Sequence, residues 1–393
     1  MTLDEKYIKE CIELAKFGEG KVSPNPFVGA VVLDKNDKLA GRGYHEKYGE
    51  AHAEVNALKK AGERAEGGTL YVNLEPCSHF GKTSPCADLI VKSGIKRLVV
   101  GMIDPNPLVS GLGLARIGEA GIEISVGVLE KECKKLNEIF IKHISEAGVG
   151  KPKDGFAGLE AANSFPAQKK PFIAIKTAST IDGKIAAKTL SSKWITSNAA
   201  REEVQKLRNK YDAIITGSGT IIADNPSLTS TAGRNPVRII IDSELKTPPD
   251  SKVYQNNNAR VIIATSEKVS DDMVKKYSEN VEILRCPPTQ EGNKFLQGKI
   301  DLNYLTDKIY QNKLASVLIE AGGKLNGAFI KNGLVDKFYF FIAPKILGDR
   351  EALSMIDGFN IENINQCLNL RFDEIKFFPP DIMIEAYFGY RSF

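Results

Sequence analysis

Histidine is scarce in this chain of 393 residues: there are four, and none lies beyond His143. Whatever chemistry the C-terminal half performs must therefore rest on other side chains or on a borrowed cofactor. Cysteine is sparse too. The six residues at 11, 77, 86, 133, 286 and 367 are too few and too scattered for a disulfide framework, so most are expected as reduced thiols. No apolar run of about 18 residues exists to span a bilayer, which argues against a membrane protein. The opening segment MTLDEKYIKECIELAKFGEG places acids among its first charges and reads as an amphipathic helix, not a secretory leader, which predicts a cytoplasmic protein. A net charge of +4 with no dense Lys/Arg run argues against a nucleic-acid-coating surface. Small anionic ligands remain as candidates, and there is room for a homo-oligomer. No repeat or low-complexity tract is visible.

The length suits two or three domains. Up to about residue 145 helix and strand alternate: a helix near 4–17, apolar strands FVGAVVL and TLYVNL, a helix from His52 to Ala61, then RLVVGM and IEISVGV. This predicts an α/β layered domain over 1–147. Residues 148–170, rich in Gly, Ala, Lys and Pro without periodicity, read as a linker or insertion. A second α/β series over 171–393 follows, with strands FIAIKTA, DAIITG, VRIIID, RVIIAT, VEILRC, SVLIE and KFYFFIAP.

Only Cys77 and Cys86 lie close together, and three histidines, His45, His52 and His79, share their neighbourhood. The string AHAEVNALKKAG sets His52 and Glu54 at the start of a helix, and LEPCSHFGKTSPC sets Cys77 just after a strand with Cys86 nine positions on. One imidazole and two thiolates make a three-ligand zinc site that leaves the fourth tetrahedral position for water, whose pKa falls to roughly 7 there. Glu54, two positions from the ligand histidine, is placed to move that water's proton to a leaving amine. The bland reading, a helix-capping histidine beside two buried thiols, accounts poorly for all four residues falling together.

These residues resemble the cytidine-deaminase superfamily, although the spacing between the cysteines exceeds the two residues usual in nucleoside and nucleic-acid deaminases. Reading outward, SPNPFVGAVV, GRGYHEKYGEAHAEVNAL and DPNPLVSGLGLARIGEAGIEI, then KTASTIDGKIA, SSKWITSNAAREEVQKLR, DAIITGSGTIIADNPSLT, LIEAGGKLNGAFI and FIAPKILG, resemble the bifunctional riboflavin-biosynthesis deaminase/reductase family. The resemblance implies a cytidine-deaminase-like α/β/α layered domain followed by a dihydrofolate-reductase-like α/β domain. It implies zinc-dependent hydrolysis of the 2-amino group of a diaminopyrimidine ribosyl phosphate, then NADPH-dependent reduction of the ribosyl to a ribityl chain.

Carried over by residue, the resemblance makes His52, Cys77 and Cys86 the zinc ligands, Glu54 the proton shuttle, and Asn25, His45, His79 and Lys82 the groups that hold the deaminase substrate. It puts Ala178, Trp194, Thr220 and Asp224 near the nicotinamide cofactor, and Ser192, Arg208, Leu228 and Glu320 on the reductase substrate. Gly322, Gly323, Lys324, Leu325, Asn326 and Gly327 follow an apolar strand and precede a helix, where backbone amides can cradle a cofactor phosphate. Lys176 is a candidate proton donor, since a desolvated lysine can titrate near neutrality. Three positions depart from the family pattern: Leu112 where a basic residue is common, Thr180 where serine is usual, and Thr231 where an arginine is expected. Arg234 is the nearest substitute for the last, as a reductase substrate contact. Two rival readings are a protein with only one active domain and an RNA-binding deaminase relative, against which the modest charge argues.

Overall fold

Helix α1 (Leu3–Ala15) begins where the chain supplies a capping box: the Glu5 amide donates to the Thr2 hydroxyl at 3.2 Å, and the Thr2 amide to the Glu5 carboxylate at 2.7 Å. The computed structural model describes residues 1–78, 85–106, 109–146, 170–255, 259–289 and 299–389. The chain divides into two units, Met1–Lys169 and Lys170–Phe393, each with its own sheet. Of the linker expected over 148–170, all but Lys170 lies outside the described residues.

In the first unit α1 is followed by β1 (Gly29–Leu33), β2 (Leu39–Tyr44), α2 (Ala53–Ala61), β3 (Thr69–Leu74), α3 (Cys86–Lys92), β4 (Arg97–Met102), α4 (Leu112–Glu119), β5 (Glu123–Val126), α5 (Glu130–Leu136) and α6 (Glu138–Glu146). The strands order as β2-β1-β3-β4-β5, with β1 antiparallel to both neighbours and β3, β4 and β5 parallel. Every residue of β1 is buried, as a strand covered on both faces requires. The pleat shows which helix covers which face. Gly29 abuts Cys11 of α1, whereas Gly43, the register partner of the adjacent Ala30, abuts Ala53 and Ala57 of α2. Helices therefore lie on both sides, giving an α/β/α sandwich.

The second unit comprises β6 (Phe172–Thr180), β7 (Lys184–Ala186), α7 (Asn198–Lys210), β8 (Ala213–Gly217), α8 (Ser218–Asp224), β9 (Val237–Ile241), α9 (Lys252–Gln255), β10 (Val261–Ser266), α10 (Asp271–Val274), β11 (Val281–Cys286), α11 (Leu302–Gln311), β12 (Ser316–Ile319), α12 (Gly323–Lys331), β13 (Lys337–Ala343), β14 (Leu353–Ser354), β15 (Leu370–Phe378) and β16 (Asp381–Phe388). Nine strands form one sheet in the order β11-β10-β9-β8-β12-β6-β13-β16-β15, while β7 and β14 pair separately. The run from β11 to β13 is parallel, and its central strands β8, β12 and β6 are almost wholly buried aliphatic stretches. The last two strands are antiparallel. Ligand clefts in such sheets open beyond the carboxyl ends of the parallel strands. Among the described residues no helix is long and apolar enough to cross a membrane.

Candidate active sites

His52 sits at the residue before α2, but its ring makes no capping hydrogen bond. It turns instead toward the two thiols. His52 Nδ1 is 3.6 Å from Cys77 Sγ and 3.3 Å from Cys86 Sγ, and the three donor atoms lie within 4.8 Å of one another. β3 delivers Cys77 and the start of α3 delivers Cys86, whose amide donates to Cys77 Sγ at 3.4 Å. The Cys86 thiol and the His52 ring hold the Cys77 sulfur down at about 4 against the cost of burial, and Cys77 in turn pushes His52 up to about 9. Cys86 is pushed up by its bond to Cys77 and by burial. Such a cluster shares protons that a divalent cation displaces when it takes the same donors. One nitrogen and two sulfurs at this spacing suit zinc and leave a coordination position open.

Glu54, in the first turn of α2, is 2% exposed, and among the described residues its Oε2 has no hydrogen-bond partner. Burial pushes its carboxyl up, and its charge is felt at Cys86. A buried carboxylate oxygen is costly to leave without a partner. His45 stands edge-on to His52 with ring centroids 5.4 Å apart. Its Nδ1 is 3.1 Å from the Ala51 carbonyl, which can only accept, while Nε2 faces Asn25 Nδ2 at 3.2 Å. Burial depresses its pKa. Asn25 and His45 are thus brought beside the thiol cluster; His79 and Lys82 lie outside the described residues.

Sequence reading missed Glu75, two residues before Cys77. It is 3% exposed, and its carboxylate accepts from the amides of Asp104 at 3.2 Å, Gly111 at 3.0 Å and Gly113 at 3.2 Å, the last two at the start of α4. The LEPC string contains this residue, but nothing local shows where its carboxylate ends. Leu112, the departure from a basic residue, is the exposed first residue of α4.

In the second unit a cleft of about 1590 Å³ opens at the ends of β6, β8, β9 and β12. Among the expected residues it is lined by Lys176, Ala178, Ser192, Trp194, Arg208, Thr220, Asp224, Leu228, Glu320, Gly322, Gly323, Lys324, Leu325 and Gly327. Glu320 is the hub. Arg208 Nε and Nη2 donate to it at 2.7 and 3.1 Å, and Lys176 Nζ at 3.3 Å. Burial opposes its charge, but the Arg208 and Lys176 cations prevail and hold it at about 2. Lys176, the candidate proton donor, is thus paired with Glu320. Ser192 Oγ donates to Asp224 at 3.0 Å.

Two expectations need correction. Asn326 does not line the cleft; it is fully buried, and its Nδ2 donates to the Met355 carbonyl at 2.8 Å, tying α12 to the segment after β14. Arg234 does not reach the cleft either, because its Nη2 pairs with Asp212 at 2.9 Å. Of the glycines, Gly323 and Gly327 let the backbone of Ser354 and Asp357 approach: a Cβ at either would fall 2.2 or 1.8 Å from a carbonyl oxygen there. Gly322, at the amino end of α12, faces open space. Residues lining the cleft that sequence reading passed over include Arg201, Gln205 and, just after β9, Ser243 and Lys246. Only the sheet order brings the end of β9 to this place.

Comparison with known proteins fits both halves. Residues 1–102 match the cytidine and deoxycytidylate deaminase zinc-binding region, and residues 171–384 match the RibD C-terminal domain. The chain is 39% identical over 387 residues to the riboflavin biosynthesis protein RibD of Bacillus amyloliquefaciens, covering 98% of this chain and 96% of that one. It is 40% identical to that of Aquifex aeolicus, covering 97% and 98%. The crystal structure of a diaminohydroxyphosphoribosylaminopyrimidine deaminase/5-amino-6-(5-phosphoribosylamino)uracil reductase from Thermotoga maritima superposes with a TM-score of 0.80 at 36% identity, covering 98% of each chain. A RibD structure from Acinetobacter baumannii gives 0.78 at 34% identity, covering 98% and 99%. With likeness of this extent across both units, the chain belongs to the RibD family of riboflavin biosynthesis, enzymes that join a zinc-dependent deaminase to an NADPH-dependent reductase.

Proposed function

We propose that the first unit hydrolyses 2,5-diamino-6-(5-phosphoribosylamino)pyrimidin-4(3H)-one to 5-amino-6-(5-phosphoribosylamino)uracil and ammonia, and that the second reduces the ribosyl group of this product to a ribityl chain. The observation that carries the first step is the buried Glu54, whose Oε2 has no hydrogen-bond partner among the described residues, beside a His52, Cys77, Cys86 donor set. These three residues would hold zinc, which supplies a Lewis acid that brings a water toward ionisation near neutral pH. Glu54 Oε2 takes up a proton from the water and gives it to the amine as the C2–N bond breaks. His45 and Asn25 orient the pyrimidine, with His79 and Lys82 as further contacts.

In the cleft, the amides around Gly322 and the side chains of Ala178, Trp194, Thr220 and Asp224 would hold NADPH, which supplies the hydride. Ser192, Arg208, Leu228 and Glu320 orient the ribosyl group. As the C1′–O4′ bond breaks, C1′ gains hydride and O4′ a proton, and Lys176 is the group placed to give that proton. Incubating the purified chain with the diaminopyrimidine phosphate, with and without NADPH, tests both steps: ammonia should appear in either case and NADPH should be oxidised only after ammonia release. Ammonia without NADPH oxidation would leave a deaminase alone.

A further inference from the structure

Cys77 leaves its sheet abruptly. The Glu75 amide donates to the Met102 carbonyl at 2.9 Å at the end of the β3–β4 ladder, and Pro76 has no N–H with which to extend it. On one side α3 grips the cysteine: the Ala87 amide donates to the Cys77 carbonyl at 3.2 Å and the Cys86 amide to its sulfur at 3.4 Å. On the other side the two preceding residues meet the segment that follows β4. A Cβ at Gly113, in the first turn of α4, would fall 2.2 Å from the Pro76 carbonyl oxygen, so the helix rests directly on the backbone that leads into Cys77.

Glu75 joins these two segments. α4 is preceded by Gly111, which has no side chain to cap the helix, and the Glu75 carboxylate takes that place from the end of the neighbouring strand. Its Oε2 accepts the Gly111 amide at 3.0 Å and the Asp104 amide at 3.2 Å, and its Oε1 accepts the Gly113 amide at 3.2 Å. A buried carboxylate needs such partners, and the positive end of a helix supplies them. Bonds at both oxygens make the brace specific to a carboxylate. A glutamine offers one acceptor oxygen, and its nitrogen would point N–H at N–H. Glu75 therefore ties the start of α4 to Pro76, and so sets the point from which Cys77 aims its sulfur at His52 and Cys86.

We propose that Glu75 is a positioning residue for the metal centre, holding the Cys77 sulfur in the arrangement that receives zinc. The inference rests on the functional reading above. Donors ordered before an ion arrives need not be ordered by it, so loss of the brace is felt as metal affinity. On the full chain, the zinc dissociation constant is measured by competition with a chromophoric chelator. The metal-free chain is then titrated with Co2+ while its thiolate-to-metal and d–d absorption bands are recorded. Glu75→Gln should weaken zinc binding roughly 10-fold or more and shift the Co2+ bands, while NADPH oxidation on pre-formed aminouracil continues. Ile117→Val is the comparator: Ile117 is a fully buried residue of α4, and the change loosens the same helix without touching the donors to Glu75. It should lower the thermal stability of the metal-free chain yet leave zinc affinity within about twofold and the Co2+ bands in place.

Unchanged zinc affinity and Co2+ bands in Glu75→Gln would overturn the assignment. So would an equal loss in both variants, which would make Glu75 part of the general packing of α4. Should Glu75→Gln fail to fold, Gly113→Ala presses on Pro76 from the helix side with the carboxylate intact and should shift the same bands; an unchanged metal response there overturns the assignment equally. A wild-type chain that takes up neither zinc nor Co2+ at these thiolates sinks the functional reading itself, whereas a normal wild-type centre that Glu75→Gln leaves untouched sinks only the role of Glu75.

Discussion

The two units place opposite demands on the chain. The first gathers three side chains of uncommon type that could hold a metal, His52, Cys77 and Cys86, from two short stretches of sequence. The second lines an open cleft of about 1590 Å³ with backbone, aliphatic, polar and charged groups drawn from Lys176 to Gly358, with no histidine or cysteine among them. A metal dictates which elements must be present, whereas a dinucleotide dictates a shape, and many residues can supply a shape.

The sharpest way to break this contrast is at the sulfurs. Replacing Cys77 or Cys86 by Ser should remove zinc, reduce ammonia release to background and lower the thermal stability of the first unit, because metal binding there is also folding energy. NADPH oxidation on pre-formed aminouracil should continue. Stoichiometric zinc in either variant, measured by metal analysis, would take that cysteine out of the donor set. Glu54→Gln should be next in size, costing roughly 10²- to 10⁴-fold in ammonia release while zinc stays bound. A near-normal rate would dismiss Glu54 as the proton carrier.

In the second unit the largest effect is expected at Glu320. Glu320→Gln leaves two cations facing a neutral amide in a site where all three side chains are at most 16% exposed, and should cost about 3 kcal/mol of stability, read by denaturant unfolding. The pH dependence has a definite sign. A carboxyl held at about 2 against an ordinary 4.5 contributes stability that is fully present above pH 4.5 and is lost as pH falls toward 2. The variant should lack that part of the acid transition. The smallest effect belongs to Arg234→Ala, whose partner-facing side chain is 42% exposed. It should cost less than about 1 kcal/mol and leave KM for the phosphorylated aminouracil unchanged; a raised KM would return Arg234 to the cleft.

The same contrast governs what could be read without a structure. TLYVNL and VEILRC are strands with the bounds their apolar runs suggest, and His52 falls at the start of its helix. The hairpin of β15 and β16 was not anticipated, because LRFDEIKFF mixes charges through an edge strand that is only partly covered. Side-chain direction is where local pattern fails. Asn326 sits among glycines that line the cleft yet turns inward to Met355, and Arg234 follows a loop glycine yet folds back to Asp212 rather than into the cleft. Arg201 and Gln205 were passed over for the converse reason, since their shared face acquires meaning only once the fold turns it toward the cleft.

The two kinds of glycine in α12 bear on how tolerance to substitution should be interpreted. In a saturation scan Gly323 and Gly327 will look as indispensable as any residue that touches a ligand, although what rejects a side chain there is the carbonyl of Ser354 or Asp357. Even alanine, the strongest helix former, is barred from the middle of this helix. Gly322 has room for a side chain where it lines the cleft, so intolerance at that one position would report a ligand, and comparing the three separates the cost of building the cleft from the cost of filling it.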